Sequence, residues 1–263
     1  DFMQHALIAG LLTSCICGLM GSLAVVNRIV FLSGGIAHAA YGGIGLSIFM
    51  GWPFLVGTIG YSMASAVLMA AITLHNKERS DAIIGVIWAS GMACGIILVD
   101  LTPGYQVDLM SYLFGSILTV PKIDLWLMAG VAVLITLFVC IFYADLLAIS
   151  YDEEFARVRG VKVKTLYFSM IIMLAVSIVL MIQVVGLILI IALLTIPAYI
   201  MEKYAKSLFQ MMIGASALGC IFSVMGLFLS YRFNVSAGAS IILVASVFFL
   251  ISGVTVNIFQ KVS

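Results

Sequence analysis

Long apolar stretches broken by short polar punctuation set the rhythm of this chain. Runs of spanning length occur at about 5–26, 29–50, 54–75, 81–99, 123–144, 166–182, 184–201, 207–230 and 237–259. A helix rises about 1.5 Å per residue and a bilayer's hydrocarbon core is about 30 Å thick, so each run can nearly or fully cross it. Residues 166–201 can also be read as one run, which gives eight spans, but Gln183 and Gly186 mark a turn between two short ones. The stretch VDLMSYLFGSILTV (107–120) is shorter and fits a re-entrant or interfacial helix. The first run is too long for a signal-peptide core and is followed at once by more spans. The chain opens on Asp1, so the initiator methionine is expected to be missing. The expected fold is an all-α polytopic membrane protein, one transmembrane domain over residues 1–263.

Composition agrees. Of 263 residues, 64% are hydrophobic and 9% charged, and the mean hydropathy is +1.28. A soluble domain has about 25% charged residues, so this chain cannot wrap its apolar surface in a polar shell. A net charge of +1 gives no case for nucleic-acid binding. Cys15, Cys17, Cys94, Cys140 and Cys220 all fall in apolar runs and read as packing residues. The methionines are scattered with no paired spacing, which argues against a copper path.

With nine spans and the amino terminus outside, Arg28, Lys77, Arg79, Arg157, Arg159, Lys162, Lys164, Lys203, Lys206 and Lys261 fall inside, against Lys122 and Arg232 outside. That bias sets the orientation, puts the carboxyl terminus in the cytoplasm and turns the loops around Asp100, Asp108 and Asp124 outward. His5 and His75 read as interfacial. Pro197 in LLTIPAY kinks its helix or serves as a hinge, with Thr195 placed to meet the freed backbone.

The longest polar stretch, about 145–165, is cytoplasmic in this scheme. In YDEEFARVRG (151–160) acidic residues precede basic ones, as a helix dipole prefers, and Gly160 stands where a helix-terminating glycine belongs. A short surface helix over about 151–159 is predicted, either a solvated connector or a docking element.

His38 lies in FLSGGIAHAAYGGIG (31–45), which has no charged side chain. The midpoint of its span is near residue 39, so the imidazole sits near the bilayer centre. An ionisable group there is costly and usually faces a bundle interior or a water-filled path. Neutral imidazole is also the commonest metal ligand. Gly34 and Gly42 lie one turn to either side, and Gly35, Ala39 and Gly43 form a second row of small residues. Such rows let helices approach closely and leave room for an ion. Position alone leaves two roles open: a hydrogen-bonded strut between helices, or a place on an ion path.

FLSGGIAHAAYGGIG, RSDAIIGVIWASGMACGIIL, DLMSYLFGSIL, SYDEEFARVRGV and VVGLILIIALLTIPA occur in that order. Together they resemble the permease subunit of the ABC importers for zinc, manganese and iron, over about residues 3 to 255. Glu154-Phe155-Ala156 with Gly160 resembles the E-A-A-x-x-x-G motif of importer permeases, with Phe155 in place of the middle alanine. The resemblance implies a coupling helix involving Glu153, Glu154, Ala156, Arg157 and Gly160. It implies a homodimer, a pair of cytoplasmic ATPase subunits that carry ATP and magnesium, an external metal-binding protein, and a home in a prokaryotic cytoplasmic membrane. It places His38 on the metal path, with Asn234, Asp100 and Asp108 as further path candidates. Many relatives have aspartate where Gly34 stands, and a second acidic position of relatives aligns with Asn234. A lone imidazole with neutral oxygen donors suits a conduit better than a store.

No cofactor is expected on the chain itself. The chain has no G-x-x-x-x-G-K-[ST] phosphate loop, so ATP chemistry is expected on another polypeptide. An ion-coupled secondary transporter usually carries acidic or basic residues within its spans, and Asp and Glu are absent from the mid-span positions here, which counts against a proton relay. An intramembrane enzyme would need a paired catalytic set. A permease for a metal chelate or vitamin is a rival within the importers, but those chains are longer and lack GGIAHAA and DLMSYLFG.

Overall fold

The computed structural model describes residues 2–75, 80–103, 115 and 117–262. Among these residues the regular structure is entirely helical. The helices are α1 (Phe2–Val26), α2 (Val30–Met50), α3 (Phe54–His75), α4 (Ser80–Asp100), α5 (Lys122–Tyr151), α6 (Glu153–Val158), α7 (Val163–Val185), α8 (Leu187–Glu202), α9 (Leu208–Phe233) and α10 (Ala237–Val262), with a 3-10 turn at Ile117–Thr119 before α5. Each of the nine apolar runs coincides with a helix. Seven of these, α1, α3, α4, α5, α7, α9 and α10, are long and apolar enough to cross a membrane. The other two fall short for different reasons. α2 is diluted by glycines, serines and His38, and α8 has only 16 residues, or ~24 Å of helix.

The helix ends follow local chemistry. Gly51 (φ +68°) closes α2 and Asn234 (φ +53°) closes α9, both in the left-handed conformation that terminates helices. Gly186, also at positive φ (+86°), separates α7 from α8, which makes the 166–201 region two helices. The exposed Gln183 belongs to the last turn of α7. Most of the predicted 107–120 helix lies outside the described residues. Gly115, at φ +66°, lies so close to the Val185–Gly186 peptide that a Cβ there would be 2.3 Å from the Val185 carbonyl carbon. Gly115 therefore rests on the α7–α8 turn. Ile117 and Val120 are buried, and His5 donates from Nδ1 to the Val120 carbonyl at 3.2 Å.

α1 runs through the centre, packed on α8, α9 and α5, with α10 behind α8 and α9. α2 packs on α3 and α4, and α7 joins the two groups through α3. In lipid no water is available to satisfy polar groups, so most buried hydroxyls turn inward or onto their own helix, while that of Ser62 has no partner among the described residues. Ser14 Oγ donates to the Gly10 carbonyl (2.7 Å) and lies 2.9 Å from Ser223 Oγ on α9. The backbones meet where side chains are absent: a Cβ on Gly45 would be 2.2 Å from the Gly95 oxygen of α4.

Candidate functional site

Between Leu32 and Gly45 on α2, every residue is buried except Gly34 and His38. The two are one turn apart and share a face. A Cβ on Gly34 would meet nothing within 4 Å, so this face opens on a slot beside the histidine. His38 is held from one side by Trp88 of α4, with ring centroids 4.2 Å apart and planes 9° from parallel. Phe31, one turn before Gly34, tilts against the same indole at 6.1 Å. The indole N–H of Trp88 points to Met92 Sδ at 3.1 Å. His38 Nδ1 is buried and has no hydrogen-bond partner. A strut would spend that nitrogen on a neighbouring helix. Here it keeps its proton or lone pair uncommitted, in a ring whose orientation is fixed by stacking rather than by hydrogen bonding. Trp88 was not singled out from the sequence. Its only signal there was a lone tryptophan two spans further on.

The other small residues of α2 face inward. A Cβ on Gly35 would be 2.6 Å from Ile84 Cγ2, on Gly42 2.5 Å from the Tyr61 ring, and on Gly43 2.7 Å from Thr58 Cα. Gly91 of α4 sits over Ala39. These residues bring α2, α3 and α4 together, and Gly34 alone of the four predicted glycines borders open space.

The remaining predicted residues are dispersed. Asp100 is exposed at the end of α4, and Asn234 is exposed in the α9–α10 turn. Asp108 lies outside the described residues. Neither Asp100 nor Asn234 shares an element with His38. Among the described residues no group of three or more His, Cys, Asp or Glu is placed to hold a metal ion. Pro197 is inside α8, and Thr195 donates to the carbonyls of Ile191 (2.8 Å) and Ala192 (3.4 Å). A proline at 197 deprives the carbonyl of Leu193, four residues back, of its helical donor. The hydroxyl of Thr195 therefore serves other groups than the one the proline frees.

At the opposite end of the sequence pattern, α6 is the short helix expected over 151–159, two residues later at its start. Asp152 caps it, accepting from the N–H of Glu154 (2.9 Å) and Phe155 (3.0 Å). Glu153 pairs with Arg157 one turn on. Gly160, at φ +83°, ends it: its N–H donates to Arg157 O (3.0 Å) and the Val161 N–H to Ala156 O (3.1 Å), the double bond of a glycine-terminated helix. Ala156 is wholly buried against the bundle, while Phe155 is 54% and Val158 87% exposed. The helix thus offers an apolar and charged outer face. On its inner side a cavity of about 490 Å³ separates Glu153 from Asn27 and Arg28 in the α1–α2 turn. Asn27 Nδ2 crosses to Ser150 Oγ at the end of α5 (2.9 Å).

The chain matches the family model described as the ABC 3 transport family over residues 1–256. It is 51% identical over 252 residues to an uncharacterized membrane protein of Synechocystis sp., covering 96% of this chain and 90% of that protein. It is 37% identical over 251 residues to the manganese import system permease protein ScaB of Streptococcus gordonii, covering 95% and 90%. Among solved structures it resembles a chain of PsaBC from Streptococcus pneumoniae in complex with Fab, with a TM-score of 0.85, 36% identity, and coverage of 96% of this chain and 91% of that one. With its helical bundle, its half-open histidine and its capped surface helix, this chain belongs to the ABC 3 transport family.

Proposed function

We propose that residues 1–263 form the permease domain of an ATP-driven importer that takes up a divalent metal ion delivered by an external binding protein. Manganese is the cargo favoured by the name of the S. gordonii relative, with zinc the second reading and iron the third. The observation that carries the reading is His38: an imidazole near the middle of α2, stacked on Trp88, with an unpartnered Nδ1 and open space at Gly34. The stack fixes the orientation of the ring. The neutral ligand and its oxygen-bearing water shell bind the ion loosely, which suits passage rather than storage. Asn234 and Asp100 serve the outer mouth in this reading. Pro197 supplies the hinge at which α8 bends.

Two copies of the chain enclose the path in the prokaryotic cytoplasmic membrane, with the amino termini outside and the carboxyl termini in the cytoplasm. ATP and magnesium belong to a separate pair of ATPase subunits, since this chain carries no phosphate loop. Its α6 docks on them through the face that carries Glu154, Phe155 and Val158. The test is uptake of radioactive manganese and zinc by vesicles containing the chain with its ATPase. ATP-dependent, metal-stimulated accumulation is expected. Accumulation driven equally well by a proton or sodium gradient without ATP would instead identify a secondary transporter.

A further inference from the structure

Val30, Gly34 and His38 follow one another at four-residue spacing on α2, and eight residues of helix cover ~12 Å. Val30, at the inner end of that row, lines a cavity of about 710 Å³ between the α1–α2 turn, α8 and α10. Its walls are largely apolar. Thr195, Tyr199 and Ser246 supply neutral oxygens, and just two charged residues line it, Arg28 and Glu202. Among the described residues neither makes an ion pair or hydrogen bond through its side chain. The neighbouring Lys203 lies over two of the rings that line the cavity, its Nζ 5.0 Å from the Tyr199 ring centre and 5.8 Å from that of Phe249.

Glu202 is the last residue of α8, where the outward carbonyls of a helix end add negative potential to its carboxylate. Arg28 stands at φ +58°, a conformation that residues other than glycine rarely adopt, and this holds it in the tight turn between α1 and α2. Arg28 also lines the other inner cavity, the one that Glu153 of α6 borders. Arg28 thus borders both inner cavities.

Resting on the reading of this chain as a metal permease, we propose that Glu202 is the exit carboxylate of the path and Arg28 its exchangeable counter-charge. A cation leaving the neutral site at His38 meets its first full negative charge at Glu202, with the hydroxyl oxygens of Thr195, Tyr199 and Ser246 around it. That oxygen-rich set suits a hard, partly hydrated divalent ion. When Arg28 swings onto Glu202 it neutralises the carboxylate, and the cation is released to the cytoplasm. Because Arg28 also borders the cavity beneath α6, movement of α6 sets which partner Glu202 has.

The experiment uses the complex with its ATPase in proteoliposomes, reading manganese uptake and ATP hydrolysis together. Wild-type complex showing no metal-stimulated hydrolysis and no uptake would sink the permease reading itself. Given a working wild type, Glu202→Gln should cut uptake about tenfold while metal-stimulated hydrolysis falls less than twofold, so fewer ions cross per ATP. Glu202→Asp should restore at least half of the uptake. Arg28→Gln should slow release, with manganese retained on the complex after centrifugal gel filtration several times longer than in wild type. Unchanged uptake and coupling in Glu202→Gln would overturn the assignment. So would an Arg28→Gln defect repaired by raising the anionic phospholipid content, since the cavity would then hold a lipid headgroup.

Discussion

At the scale of single residues, the proposed metal path rests on His38 beside the open space at Gly34. Removing the imidazole by His38→Ala should leave assembly intact, because alanine is the best helix former and the site is roomy. Manganese uptake should fall at least tenfold, equivalent to ~1.4 kcal/mol or more of binding. His38→Gln keeps a donor and an acceptor but lacks a good metal-binding nitrogen, so it should not restore uptake. Full uptake in His38→Gln would make the residue a strut. Gly34→Asp is the converse test. A Cβ at residue 34 has open space, so the carboxylate fits without displacing a neighbour. It should raise apparent manganese affinity and slow turnover, measured as a lower KM with a lower maximal uptake rate. No change in either would mean that this face of α2 never meets the ion.

At the scale of elements, α6 stands apart because its stability is local. Its Asp152 cap and Gly160 terminus close a helix of six residues that would not form alone. Asp152→Ala should cost about 1 kcal/mol of local stability. Glu154→Arg combined with Gly160→Pro should abolish both the terminus and the docking face. The measurement is co-purification of the ATPase together with uptake; both at wild-type level would show that α6 is not the coupling element. The Gly160 terminus and the acidic-to-basic order of α6 were legible in the sequence because they are local signals, whereas the Asp152 cap was read as part of the helix. Legible too was the position of each apolar run on a helix, although only seven of the nine are long and apolar enough to cross a membrane, and so was the break at Gly186. What could not be read was direction. Helices in lipid are apolar on all sides, so periodicity does not say which face is buried. Gly34 and Gly42 looked equivalent around His38, yet one borders a slot and the other abuts the Tyr61 ring. The stack of Trp88 on His38, the rest of Gly115 on the α7–α8 turn and the left-handed Arg28 join positions distant in sequence or depend on tertiary strain, and neither leaves a mark on periodicity.

At the scale of the whole molecule, orientation is the first thing to test. Lys122 begins α5 and Lys162 follows its far end, and both are exposed. An impermeant amine reagent added to intact cells should modify Lys122 and spare Lys162, read by mass spectrometry of the purified chain. The reverse pattern would invert the topology. The second consequence comes from the bare neutrality of the slot, where Gly34 leaves His38 without a carboxylate neighbour. An empty site of this kind moves no charge when the protein resets between alternating states, whereas an ion-loaded one carries both charges of the cation through the field. All the voltage dependence of the cycle then falls on the loaded step. An inside-negative potential of 100 mV is worth ~2.3 kcal/mol per charge, or ~4.6 kcal/mol for a divalent ion crossing the full field. Imposing potassium diffusion potentials on vesicles should therefore speed loaded-state uptake steeply while leaving the rate of resetting flat. In Gly34→Asp, where the empty site carries a negative charge, the resetting step should become voltage-sensitive as well.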